Sequence, residues 1–239
     1  MALSVSQTKA LALILKPGMR VCSMGYPDLI APFHYFEQML GDKVHALEYR
    51  EDSKAICARH GLGDIAIPDA QSFFKLMDCE LDVYDIVKER GGEIICDLNI
   101  PFGWRESINT SQSMRQKYDV VLDVGTVEHC FNISQAIMNM ASLVKVGGYI
   151  IHENPHSGWT NHGFFSLHPT LFYDFYTSNG FEIVNLVLTT RNGDQYECHP
   201  TKRMNIGDLR DVNIFCLAKR VEDVTFRFPT QSKYLKMTQ

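Results

Sequence analysis

Apolar runs alternate with segments of helical periodicity along most of this chain, and the clearest example lies between Tyr118 and Pro155. Val120-Val121-Leu122, closed by Asp123-Val124-Gly125, alternates too little for a one-faced strand and predicts a strand buried on both faces. From about Ser134, a good N-cap residue, Ile137, Met140, Ala141 and Val144 recur at spacings of three and four, which predicts a helix. Gly147-Gly148 is its expected stop, and Tyr149-Ile150-Ile151 opens a second buried strand. Strand, helix and strand of this length predict a right-handed parallel crossover. Polar residues come after both strand ends: Thr126, Glu128 and His129 after the first, His152, Glu153, Asn154 and His156 after the second. The carboxyl edge of an open α/β sheet is where ligands bind.

The same patterning extends outward. A short N-terminal helix (ALALIL) ends at Lys16-Pro17-Gly18, and residues 19–24 predict a first strand closed by Gly25-Tyr26-Pro27-Asp28. A helix over 29–40, a strand over 43–49 reaching Glu48, and a helix over 51–60 come next. Residues 69–92 carry helical spacing with many acids and predict a helical insertion; 93–97 is a third strand ending at Asp97-Leu98. Residues 104–117 read as a polar loop with a short helix, and 157–170 as a long ordered loop. Pro169 starts a helix ending near Ser178, and strands over 181–190 and 212–218 flank a polar hairpin insert, 191–211. This order predicts an α/β fold: a doubly wound, mostly parallel seven-stranded sheet with an antiparallel C-terminal hairpin. One domain over 1–220 and a tail over 221–239 are expected.

Composition narrows the function. With 239 residues, 45% hydrophobic and 21% charged, the chain reads as an ordinary globular protein. A net charge of −5, with no basic cluster beyond Lys202-Arg203, argues against a duplex nucleic-acid partner. No stretch reaches the roughly 18 to 20 apolar residues of a membrane span. Seven cysteines with no CxxC pair and no zinc spacing read as free thiols in a reducing cytoplasm. A small-molecule substrate is the expected partner, and a homodimer is compatible with the pattern.

On the order of elements, and on the stretch VLDVGTVEHCFNISQAIMNMASLVKVGGYIIHENP with its acid-His pair and "leu-val-lys-x-gly-gly" turn, the chain resembles class I S-adenosylmethionine-dependent methyltransferases over about residues 19 to 219. NHGFFSLHPTLFYDFYTSNGF further resembles a subgroup associated with surface-saccharide and secondary-metabolite gene clusters. The resemblance implies S-adenosylmethionine as cofactor. It implies Gly25 and Tyr26 in the turn under the methionine portion and Glu48 as the acid on the ribose hydroxyls. Asp97 with Leu98 would lie at the adenine, and Thr126, Glu128 and His129 at the cofactor's border. A carboxylate can accept both hydrogen bonds of a ribose diol, and an exocyclic amine needs an acceptor. Glu128 and His129 also read as a helix-capping pair.

For chemistry, methyl transfer to oxygen needs a group that takes the hydroxyl proton, and an imidazole does so near neutral pH. His162, between Asn161 and Gly163, is the first candidate for that base and His156 the second; His168, before Pro169, reads as a cap. His156, His162 and His168 with Glu153 could be a metal set, but His156 and His162 lie on a loop without helical or strand spacing to fix geometry, so no metal is expected. The family's first turn carries several glycines, whereas Gly25 here is followed by Tyr26-Pro27. That departure supports an alternative, a non-catalytic binding or scaffolding subunit on the same fold. A nucleotide-binding oxidoreductase lacks its G-x-G-x-x-G.

Overall fold

The structure is a computed structural model, which describes residues 2–90, 92–102, 115–190, 193–207 and 210–235. It opens with β1 (Ala2–Leu3) and α1 (Val5–Ile14), then β2 (Arg20–Met24), β3 (Asp28–Leu29), α2 (Phe33–Leu40), a 3-10 helix (Gly41–Ala46), α3 (Ser53–His60), α4 (Ala70–Leu76) and β4 (Glu80–Asp85). Next come β5 (Ile94–Ile95), β6 (Tyr118–Asp123), a 3-10 turn (Val127–His129), α5 (Ile133–Leu143) and β7 (Val144–Ser157). The chain then forms α6 (Pro169–Thr177), β8 (Phe181–Thr189), β9 (Gln195–Glu197), β10 (Val212–Arg220) and α7 (Ser232–Leu235).

Among the described residues, eight strands join in one sheet, in the order β5-β4-β2-β6-β7-β10-β8-β9. Pairing is parallel from β5 to β7 and antiparallel from β7 to β9. The chain winds outward from β2 through β4 to β5, then returns to the other side of β2 with β6. The strand order therefore reverses between β2 and β6, the switch point where open α/β sheets bind ligands.

Period-two alternation feeds two cores. Val121 and Ile150 face a layer holding Ile137 and Met140 of α5 and Phe172 and Tyr176 of α6. Val120, Leu122 and Ile151 face the opposite layer, with Leu11 of α1, Phe36 of α2 and Phe73 of α4. Burial on both faces is what the near-continuous apolar runs demand, and each fully buried Val, Ile or Leu contributes about 1.5–3 kcal/mol.

Several expectations need correction. The sheet has eight strands rather than seven, because β9 extends the hairpin edge, and β1 pairs with β3 in a separate parallel ribbon. Residues 43–49 are not the second strand. Gly41–Ala46 is a 3-10 helix with no buried residue, so it offers nothing to a sheet interior. The second strand is β4, inside the supposed helical insertion, where Leu81, Val83 and Tyr84 are buried. The acids that suggested a helix face have sheet partners: Glu80 and Asp82 pair with Arg20 at 3.1 and 3.3 Å, and Asp82 accepts from Tyr118 Oη at 2.5 Å.

Helix α5 starts after Asn132, so Ser134 lies inside it, and it ends at Leu143 before the glycine pair. Gly147 (φ +87°) and Gly148 sit within β7 at a register shift against β6. A Cβ on Gly148 would meet the Asp119 carbonyl at 2.8 Å, so that close approach requires glycine. The tail packs onto α6, with Asn179 exchanging hydrogen bonds with the backbone of Arg227 at 2.8 and 3.0 Å. The expected loop and short helix over 104–117 lie mostly outside the described residues.

Candidate functional site

At the switch point Gly25 takes φ +83°, a left-handed conformation suited to glycine, and Thr126 Oγ1 ties the far side by donating to Met24 O at 2.6 Å. A cavity of about 960 Å³ opens there. Its wall takes Gly25 after β2, Asp85 at the end of β4, Asp97 and Leu98 after β5, Gly125 and Thr126 after β6, and Glu153 and Asn154 from β7. Ala2 and Ser4 of the N-terminal segment, His60 and Gly61 at the end of α3, and Trp159 and His162 of the loop after β7 are also part of it.

Two carboxylates from neighbouring strand tips meet this cavity. Asp85 closes β4 and pairs across to Ile95. Asp97 stands in the turn after β5 and accepts from Asn99 N and Nδ2 at 2.9 and 2.8 Å, both through Oδ1. Buried Asn139 of α5 holds that turn, donating to the carbonyls of Leu98 (3.0 Å) and Ile100 (2.8 Å) and accepting from Phe102 N at 3.1 Å.

Behind the wall lies a buried polar chain. Asp123 Oδ1 accepts from the backbone of Thr126 and Val127 at 2.9 and 3.2 Å, while Oδ2 accepts from Asn154 Nδ2 at 2.8 Å and faces His152 Nδ1 at 2.7 Å. His152 Nε2 in turn meets Tyr176 Oη at 2.5 Å. These partners are what make a fully buried Asp tolerable.

Glu128 is also fully buried. Its Oε2 accepts from Asn154 Nδ2 at 3.0 Å, whereas Oε1 has no hydrogen-bond partner among the described residues. Facing Oε1 are His162 Nε2 at 3.4 Å and His129 Nε2 at 3.9 Å. Burial, and then the nearby Asp123 charge, raise the pKa of Glu128 well above the ordinary carboxylate range. Burial, and then His162, lower that of His129.

The structure thus brings together Gly25, Asp97, Leu98, Thr126, Glu128, His129 and His162 of the residues singled out in the sequence. Glu48 does not line the cavity, because the segment before it is not a strand; Asp85, absent from the sequence-predicted set, stands at the strand tip instead. Period-two alternation in Glu80-Leu-Asp-Val-Tyr-Asp85 is the signal that could have found it.

Tyr26 turns away from the cavity. Its hydroxyl donates to Asp69 Oδ2 at 2.5 Å and its ring lies under Arg90 and Arg50, 4.6 and 5.1 Å from the centroid. His156 also points elsewhere. Its Nδ1 donates to Leu167 O at 2.7 Å, and it lines a second cavity of about 490 Å³ with His168. His168 occupies the cap position of α6 but makes no side-chain capping bond; its ring packs edge-on against His156.

No protein-family model matches the chain, and no curated protein sequence matches it. Solved structures resemble it at low identity. One is the Burkholderia thailandensis 1,6-didemethyltoxoflavin-N1-methyltransferase, bound to 1,6-didemethyltoxoflavin and S-adenosylhomocysteine. It is 11% identical, with 90% of this chain and 78% of that one covered at a TM-score of 0.45. TehB from Haemophilus influenzae is 14% identical, with 90% and 62% covered at 0.42. The methyltransferase CalH, solved with S-adenosylhomocysteine, is 11% identical, with 89% and 55% covered at 0.43. The chain therefore spans less than two thirds of TehB and of CalH. Scores this low carry no functional argument, and the function has to be argued from the site itself.

Proposed function

We propose that the chain is an S-adenosylmethionine-dependent methyltransferase acting on a small hydroxylated molecule, with transfer to oxygen. The observation that carries this is the pair Asp85 and Asp97, borne on neighbouring strand tips and facing one cavity beside the glycine turn at the switch point. The residues fit the cofactor's chemistry. Asp85 would accept from the ribose hydroxyls, Asp97 from the adenine amine, and the Gly25 turn leaves backbone open to the methionine portion. When bound, S-adenosylmethionine supplies a methyl group on a cationic sulfur, which passes to the acceptor oxygen and leaves S-adenosylhomocysteine.

The protein's share is to hold, dry and deprotonate. Leu98, Val124 and Cys96 line the cavity with apolar surface, which would help to exclude water around the bound cofactor. Trp159 and His162 flank the acceptor side, and His162 is the imidazole that would take the hydroxyl proton. Alignment in such a pocket can lower the barrier of a bimolecular transfer by about 7–11 kcal/mol. Tyr26 turned outward supports this reading over a non-catalytic scaffold, since its side chain leaves the turn at Gly25 open.

Calorimetric titration with S-adenosylhomocysteine tests the cofactor half. Wild type should bind, Asp85→Ala should weaken binding about 10- to 100-fold through loss of charge-assisted hydrogen bonds, and Glu48→Ala should not change it. Absence of heat and of any thermal shift at millimolar ligand would sink the proposal.

A further inference from the structure

We infer that Glu128, His129 and His162 together bind a divalent first-row transition cation at the acceptor side of the cavity. Their three ligand atoms lie within 4.8 Å of one another. Two imidazole nitrogens face one carboxylate oxygen, yet at 3.4 and 3.9 Å neither is a good hydrogen bond to it, and that buried oxygen has no hydrogen-bond partner among the described residues. The spacing suits an intervening ion. Two ligand atoms about 2.1 Å from one tetrahedral centre stand about 3.4 Å apart. His162 already meets that separation from Glu128, His129 stands about half an ångström beyond it, and the two half-exposed imidazoles must draw together, since the three atoms spread over up to 4.8 Å.

The surroundings are those of a built site. Asn154 Nδ2 holds the other carboxylate oxygen at 3.0 Å, fixing the plane of Glu128 in the way outer partners orient metal ligands. The loop carrying His162 is pinned to the same residue, since Phe164 N and Phe165 N both donate to Glu128 O, at 2.9 and 3.3 Å. Gly163 permits that approach: a Cβ there would meet Glu128 O at 2.9 Å and His129 Nδ1 at 3.2 Å. Gly125 leaves the space over Oε1 open, where a Cβ would stand 3.3 Å away.

Two nitrogens and one carboxylate oxygen with remaining positions open to a cavity suit Zn²⁺, Mn²⁺ or Fe²⁺. If the cavity also takes S-adenosylmethionine, as proposed above, those open positions are where the acceptor's hydroxyl would sit. The cation would then lower the hydroxyl's pKa, and the proton would leave to bulk solvent at the cavity mouth; His162, as a ligand, would in that case not be the base.

The test is calorimetric titration of chelator-treated protein with Zn²⁺ and with Mn²⁺, followed by Co²⁺ absorption spectroscopy. One equivalent should bind, with visible Co²⁺ bands. His162→Ala and His129→Ala, at exposed positions, should each weaken binding at least about 10-fold, as should Glu128→Gln. The double variant His156→Ala/His168→Ala in the second cavity should not change it. Absence of saturable binding, or binding that survives loss of both His129 and His162, overturns the site. S-adenosylhomocysteine titrated into the metal-free protein separates the two proposals. Cation binding without it sinks the methyltransferase and leaves the metal site standing; the reverse result sinks the metal site alone.

Discussion

Glu153 offers a quantitative test of how the cavity wall is built. Its carboxyl is largely buried in β7 and accepts from Ser4 Oγ. Burial pushes its pKa up from 4.5 to about 7, with hydrogen bonds from Ser4 and Asn213 pulling the other way. Below pH 4.5 the group is neutral in both folded and unfolded chains, and its burial carries no ionic penalty. Between pH 4.5 and 7 the unfolded chain has lost this proton while the folded chain keeps it, so stability falls as pH rises. Above pH 7 both states are ionised and the loss stays constant. At about 1.4 kcal/mol per pH unit the penalty reaches about 3 kcal/mol at most. Glu153→Gln keeps the shape and an acceptor for Ser4 but never ionises. Urea unfolding should therefore show the variant gaining about 2–3 kcal/mol on wild type between pH 4 and pH 8, which is about 4–12 °C in Tm for a chain of this size. A difference that stays flat over that range would refute the reasoning, because it would mean that Glu153 ionises as freely when folded as when unfolded.

The same geometry sets three further outcomes. Asn139→Ala strands two carbonyls in the turn bearing Asp97; it should cost about 2–4 kcal/mol by chemical denaturation and weaken S-adenosylhomocysteine binding in calorimetry. Tyr26→Phe should cost about 1 kcal/mol for the lost bond to Asp69 and leave that binding unchanged; a tenfold loss would return Tyr26 to the cofactor site. Gly163→Ala must displace the loop from Glu128. It should cost about 1–3 kcal/mol in stability and lower Zn²⁺ affinity, whereas unaltered affinity would show that the loop's closeness to Glu128 does not set the cation geometry.

The fold was legible where a segment's burial had one reading. Val120-Val121-Leu122 and Ile150-Ile151 are fully buried, and a run so apolar suits an interior strand covered on both faces. Val212–Arg220 was legible for the same reason, although it proves to lie between β7 and β8. The second strand carried its signal, the period-two alternation over 80–85, but its acids also fitted a helix face. In β4 the polar residues Glu80 and Asp82 belong to the end of the sheet beside Arg20, and local periodicity cannot reveal partners that lie about sixty residues away in sequence. The competing segment, 43–49, had the apparent advantage of standing one helix after Gly25, where a minimal βαβ unit would put a strand. Its side chains are too exposed for that duty, and exposure is a tertiary fact.

The site divides along the same line. Glu128 and His129 could be suspected because they come after an interior strand at the sheet's carboxyl edge, where backbone turns and leaves side chains facing a crevice. His162 could be suspected as an imidazole beside glycine, but its partnership with Glu128 could not, because it depends on a loop folding back through two backbone hydrogen bonds. That fold-back needs the missing side chain at Gly163, and it delivers the imidazole to a carboxylate already committed to Asn154 through its other oxygen. A glycine beside a histidine thus has a use that residue spacing alone does not reveal: it lets the backbone close on Glu128, so that His129 and His162, distant along the chain, come to share one small volume. Residue spacing along a loop says little about a metal set when strand ends and backbone contacts, rather than helical periodicity, supply the geometry.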